Sequence, residues 1–251
     1  MRHPVLIITG WIICIPAVYY IDQWRKLRKK LKDITDTQTS RIGSLLSSSR
    51  SSGRIVEVKG KLVANPEVLK SPFTESDCVF FHAVEQDKVR EVYKRKSDDL
   101  TNSSRIYYST NTDKRSDHTF YLEDSTGRIL IDPEGAEVDG EVVLKSIEPT
   151  FGEENSSKLD SAFQPCGEKI IAVIKNEQIL PPGEQAYVIG ELFFGSNGPI
   201  IGSSPEKDKT FLISLKDEET LVKSGNRELY QAIAFSIVAS VAGIALIILG
   251  W

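Results

Sequence analysis

Cysteine and histidine are both scarce. The chain of 251 residues has three of each, and its cysteines are Cys14, Cys78 and Cys166. Cys14 lies in an apolar run and the other two are far apart. That excludes a disulfide scaffold and fits a reducing compartment. Cys78, His82, His118 and Cys166 are the candidates for a tetrahedral zinc. One C-x3-H pair and two isolated residues do not make a metal-ligand spacing, and the set is too small for a cross-brace RING. No G-x-S-x-G, Walker motif, G-x-G-x-x-G or EF-hand order occurs. Serine hydrolysis, nucleotide hydrolysis, dinucleotide binding and EF-hand calcium binding therefore lack support, and no cofactor is called for. Basic excess is missing too: the net charge is -4 and the pI about 5.6, which points away from nucleic acid.

Long apolar runs are present, one at each end. The first is Pro4–Ile21, uncharged, spanning roughly 27 Å as a helix against a bilayer core of about 30 Å. Few charges precede it, no A-x-A-like site follows it, and a dense basic cluster does, which argues against a cleaved signal peptide. Large isoleucines before Cys14 argue against a lipoprotein. The second run, Leu229–Gly250, spans roughly 33 Å. Ala232, Ser236, Ala239, Ser240 and Gly243 recur along it at helical spacing. Such stripes allow close helix–helix approach, here against the first helix or a second copy; ordinary membrane-helix composition explains them equally well.

The basic residues set the expected orientation. Arg25, Lys26, Arg28, Lys29, Lys30 and Lys32 follow the first run; Lys223 and Arg227 precede the second. Both helices then place the middle of the chain in the cytoplasm and both termini outside. The 25–32 cluster is expected to lie on anionic headgroups, at roughly 1 kcal/mol per residue. A plain stop-transfer signal is its simpler reading.

Between the runs the periodicity changes. Leu27, Leu31 and Ile34 share a helical face, as do Ile42, Leu45 and Leu46, which predicts a juxtamembrane helix reaching about Leu46. Ser47–Gly53 is a break. Arg54–Val63 alternates apolar and polar, as a half-buried strand does. Further strands are expected at Cys78–Val84, Val89–Tyr93, Phe120–Leu122, Arg128–Ile131, Val142–Ile147, Lys169–Ile174, Gln185–Leu192 and Phe211–Ser214. Lys94–His118 reads as a long exposed hairpin excursion and Glu148–Cys166 as a loop. Turns are expected at Glu123–Gly127, where glycine suits a positive φ, at Asp132–Gly135, Pro181–Gly183 and Gly195–Pro199. Asp217–Gly225 reads as a short helix. The expected fold is mainly β, a compact sandwich or OB-like barrel, flanked by two transmembrane helices. The expected divisions are 4–21 membrane helix, 22–52 basic juxtamembrane segment, 53–216 β-domain and 229–250 membrane helix.

Catalytic constellations are weak. On a strand, Cys78 and His82 would share a face but stand about 13 Å apart, beyond hydrogen-bond reach. A buried structural cysteine is the simpler reading. Glu123, Asp124, Asp132, Glu134, Glu137 and Asp139 cluster in sequence and read as a solvated turn face.

Several segments resemble the GIDE family, also called the BAM ("beside a membrane") domain. They are DTQTSRIGSL (36–45), GRIVEVKGKL (53–62), the Ser71–Pro72 pair with CVFFHAV (78–84), FYLEDSTGRILIDPEGAEVD (120–139), LPPGEQAYVIGEL (180–192) and FLIS (211–214). In the mitochondrial and chloroplast membrane E3 ubiquitin ligases this domain sits between two membrane helices, and stand-alone prokaryotic members exist. The resemblance marks Gly60, Ser71, Pro72, Cys78, Asp124, Thr126, Gly127 and Gly190 as motif positions, read as structural. In those ligases a RING follows the second helix, whereas no residue here matches its zinc ligands, so no catalytic residue carries over. The resemblance implies a membrane-anchored interaction or scaffold module with lipid and an unidentified protein as partners. Its alternative is a role in ubiquitin conjugation beside a separate RING subunit.

Overall fold

The computed structural model describes residues 21–47, 53–94, 103–150, 164–195, 198–206 and 209–250. In chain order, a helix α1 (21–36) and a short α2 (Ile42–Ser47) precede β1 (Arg54–Val63), β2 (Leu69–Lys70), β3 (Asp77–Cys78), β4 (Phe80–Lys94) and β5 (Ser103–Arg115). Then follow β6 (Phe120–Asp124), β7 (Gly127–Ile131), β8 (Glu137–Asp139), β9 (Glu141–Pro149) and β10 (Gln164–Leu180). The chain continues through β11 (Gln185–Gly195), β12 (Gly198–Gly202), β13 (Leu212–Ser214) and the helix α3 (Glu218–Gly250).

Five strands close a barrel in the order β1-β6-β7-β12-β11 and back to β1. Every pair is antiparallel except β7–β12. Alternation fills the interior: Val56, Val58 and Leu62 of β1 meet Phe120, Leu122, Ile129, Ile131, Val188 and Ile201. The expected sandwich or OB-like barrel is thus a closed five-stranded barrel. Two insertions leave it, one between β1 and β6 and one between β7 and β11. Their long strands pair with each other as a second sheet, β5-β4-β10-β9.

The β1 strand has the bounds its alternation predicts. Other expectations need correction. Cys78 belongs to the short β3, and Phe80–Lys94 is one continuous strand, because β5 and β10 pair with it along its length. Residues 164–166, read as loop, lie in β10 for the same reason. The strand β12 was hidden in glycine- and proline-rich sequence; it is held by β11 on one side and β7 on the other. The expected juxtamembrane helix breaks between 36 and Ile42, where Thr39 makes a parallel bridge to Glu57 and Ser40 N–H donates to the Glu57 carbonyl at 2.8 Å. The expected short helix at Asp217–Gly225 continues without a break into the apolar run. Asp217 caps it, accepting from Thr220 N–H at 3.0 Å.

Among the described residues one helix, Glu218–Leu246, is long and apolar enough to cross a membrane. The expected first span, 4–21, lies outside the described residues except for Ile21.

Candidate interaction site at the helix–barrel junction

Both long helices grip one wall of the barrel. Ile34 of α1 packs with Tyr187, Ile189 and Leu212, and Leu221 and Val222 of α3 close over the same cluster. Gly225 lets the helices touch: a Cβ there would stand 2.5 Å from Leu31 Cδ2. Polar ties surround this contact. Lys30 pairs with Glu137 at 2.6 Å, Lys59 with Glu218 at 2.8 Å, and Thr210 donates to Asp33 at 2.6 Å. At the centre, Glu57 is fully buried. It accepts from Tyr187 OH at 2.9 Å and from Thr39 Oγ1, with Lys59 Nζ at 3.5 Å. Burial beside this carboxylate raises the Tyr187 pKa. Sequence reading passed over Glu57 because its parity on β1 matches Lys59, the solvent side of a free barrel; the 37–41 segment covers it.

The cationic cluster on α1 divides. Arg25, Lys26, Arg28, Lys29 and Lys32 are exposed, while Lys30 turns onto the barrel. Lys26 also pairs with Asp22 at 2.8 Å, and Arg28 stacks over Trp24 at 5.2 Å. Below them a groove runs between Ile21 and Trp24 of α1 and Ile233, Ser236 and Ser240 of α3. An open cleft of about 1040 Å³ flanks α3, lined by Thr35, Lys223, Arg227 and Tyr230 among others.

The motif positions have separate structural tasks. Asp124 and Thr126 seat α2. Asp124 accepts from Ile42 N–H at 2.9 Å, from Thr126 N–H and Oγ1 at 2.6 Å each, and from Gly127 N–H at 3.1 Å, while Gly43 N–H donates to Thr126 Oγ1 at 2.7 Å. Burial opposes the Asp124 charge, but these hydrogen bonds outweigh it and lower its pKa. Gly127 has the positive φ expected of this turn, 159°, and a Cβ there would also meet Leu46 at 2.9 Å. Gly60 lets β1 pass Glu123, whose carbonyl oxygen would lie 2.5 Å from a Cβ. Gly190 leaves room for Phe211 and Ile201.

Ser71 and Pro72 begin a loop that wraps a buried carboxylate. Glu177 accepts from Ser71 Oγ at 3.0 Å, Phe73 N–H at 2.7 Å, Thr74 N–H at 2.9 Å and Thr74 Oγ1. Burial alone would raise its pKa; the donors reverse the shift and lower it. Sequence marks Ser71 and Pro72 as motif positions but leaves Glu177 unmarked, since about 100 residues separate the carboxylate from its loop. Cys78 is buried, its thiol donating to Leu69 O at 3.7 Å, and burial pushes its pKa up to about 11. Its former companion His82 pairs instead with Asp113 at 2.9 Å. Of the acidic cluster, Glu137 and Asp139 are engaged with Lys30 and Lys216. No three His, Cys, Asp or Glu gather as a metal-binding group among the described residues.

These contacts define a class of protein: a β-barrel with an inserted sheet, fixed to the base of an apolar helix long enough to cross a membrane. The GIDE family model, described as E3 ubiquitin ligase, matches residues 89–248. The chain belongs to the GIDE family. The matched region contains the FYLEDSTGRILIDPEGAEVD and LPPGEQAYVIGEL segments and FLIS, and starts after the Ser71–Pro72 pair. No curated protein and no solved structure matches the chain.

Proposed function

We propose that this GIDE-family chain is a membrane-anchored interaction module, with the barrel as its fixed base and the inserted sheet as its projecting surface. One observation carries this reading: α1 and α3 both pack on one barrel wall, through Leu31 against Gly225 and through Ile34 with Leu221 and Val222 around Tyr187. A domain so clamped keeps one attitude beside the bilayer and presents the same surfaces to any partner. The barrel's strand order and its single parallel pair support an OB-like fold, used here as a scaffold. The exposed Arg25, Arg28 and Lys32 support the domain lying on the cytoplasmic side, with both termini across two spans and the basic residues near anionic headgroups.

The test is membrane topology joined to partner mapping. Single cysteines placed at exposed positions of β5 and β9, in a chain lacking its own cysteines, should react with an impermeant maleimide only after the cytoplasmic face is opened. Labelling from outside intact cells would sink the topology. The second reading, a part in ubiquitin conjugation, rests on the family description. Purified full chain with activating enzyme, conjugating enzyme and ubiquitin should make no conjugates unless a RING subunit is added; conjugates without one would overturn the scaffold reading.

A further inference from the structure

The register of the second sheet sorts its charges by face, because residues opposite each other across antiparallel strands share a side. On one face stand Lys88, Arg90, Lys169 and Lys145. The carboxylate on that face, Asp113, is taken by His82, and Arg115 is turned away to the Pro133 and Ala136 carbonyls. On the other face stand Asp87, Glu91, Glu141, Glu148 and Glu168, with Arg105 beside Glu91, Glu85 with Lys175 at 3.6 Å, and Lys114 as a cation toward the barrel end. Consecutive rungs show the contrast directly. Arg90 faces Lys169 on one side of the sheet, and Glu91 faces Glu168 on the other. Like charges directly opposite are unfavourable in an isolated sheet. At the Arg90–Lys169 rung a surface of opposite sign relieves them, whereas Glu91 is already engaged within the chain.

Exposed apolar side chains accompany the charges. Ile106, Tyr108 and Ile147 share the cationic face, and Ile170 stands exposed on the acidic one. At the barrel end the 71–74 loop covers the acidic face over Glu177 and Ala83, and Arg115 on the cationic face packs onto the 133–136 turn; farther out, Arg90, Lys145 and Lys169 on one face and Glu148 and Glu168 on the other are exposed. Both halves of a complementary pair are therefore present on one molecule.

We propose that the cationic face of this sheet docks against the acidic face of a second copy of the chain. The contact joins unlike faces, so it does not close at two copies but continues head to tail into a ring or an open row. Exposed ion pairs are individually weak and salt-sensitive. Either assembly accordingly depends on the high local density of membrane-held copies. The proposal rests on the membrane anchorage above, and its failure is separable from failure of that reading, since topology is measured on single copies.

Full-length chains carrying donor or acceptor fluorophores, co-reconstituted in phosphatidylcholine vesicles, test it by energy transfer between copies. Transfer above that of randomly dispersed chains is expected at low salt and should be lost at high salt. The triple variant K88E/R90E/K169E and the triple variant D87K/E148K/E168K should each lose it. Mixing the two should restore transfer, now only between unlike variants. Unchanged melting temperatures for both variants establish that loss is not misfolding. Were the wild type dispersed, the variants unaffected, or the mixture silent with both variants folded, the proposal would be wrong. Binding of the wild-type cationic face to phosphatidylserine vesicles without transfer between copies would also overturn it and make anionic lipid the occupant.

Discussion

Glu177 is a carboxylate whose charge is held by a loop near the start of the first insertion. Replacing it with alanine takes the acceptor from the part-buried Phe73 and Thr74 amides, at a total cost of about 1–3 kcal/mol. Urea unfolding of the detergent-solubilised chain should show that loss, and Glu177→Gln a smaller one. Glu177 and Asp124 both have lowered pKa values in the fold. The unfolded chain then binds protons more readily than the native one. Their stabilisation is complete above the unfolded carboxylate pKa of about 4 and drains away as pH falls through the folded values. Melting temperature should therefore fall on acidification below about pH 5, and less steeply in Glu177→Gln. Cys78, with its thiol pushed up to about 11, should resist maleimide near neutral pH until denaturant is added, as peptide-resolved mass spectrometry can show. At this scale the sequence conveyed the buried cysteine and the motif aspartate. It concealed Glu57, because a glutamate in strand alternation reads as solvent-facing until another segment covers it.

Among elements, α2 is the one most dependent on a neighbour. Six residues cannot sustain a helix alone. Its first amides are satisfied by Asp124 and Thr126 across the fold. Asp124→Ala should therefore raise hydrogen exchange at the 42–47 amides by far more than at β1. The crossing of α1 and α3 is tested by Gly225→Val, which should lower stability by about 1–3 kcal/mol through overpacking. Leu31→Ala should recover part of that loss in the double variant, because the two residues share the contact. Helical and strand periodicity revealed α1, α3, β1 and the hairpin β6–β7. The break after α1 escaped it: apolar spacing at Ile42 and Leu45 continues the helical theme, while the stop is imposed by Thr39 and Ser40 pairing with Glu57. For β12, pairing on both edges overrides its poor strand composition.

For the molecule as a whole, hydropathy announced the apolar helix now seen as α3, and short strands with turns announced a β-domain. What local sequence could not convey was the joining of two distant insertions into one sheet, since that pairing exists only once the barrel brings their roots together. Barrel closure also has a temporal consequence. β1 must meet β11, and the Glu57–Tyr187 hydrogen bond spans 130 positions. During synthesis nothing can close until the chain is complete almost to α3. Until then the emerged β1 and β4 offer unpaired edges at the ribosome, and contacts so distant in sequence make for slow folding. The nascent protein should thus lean on holding chaperones until the last barrel strands emerge.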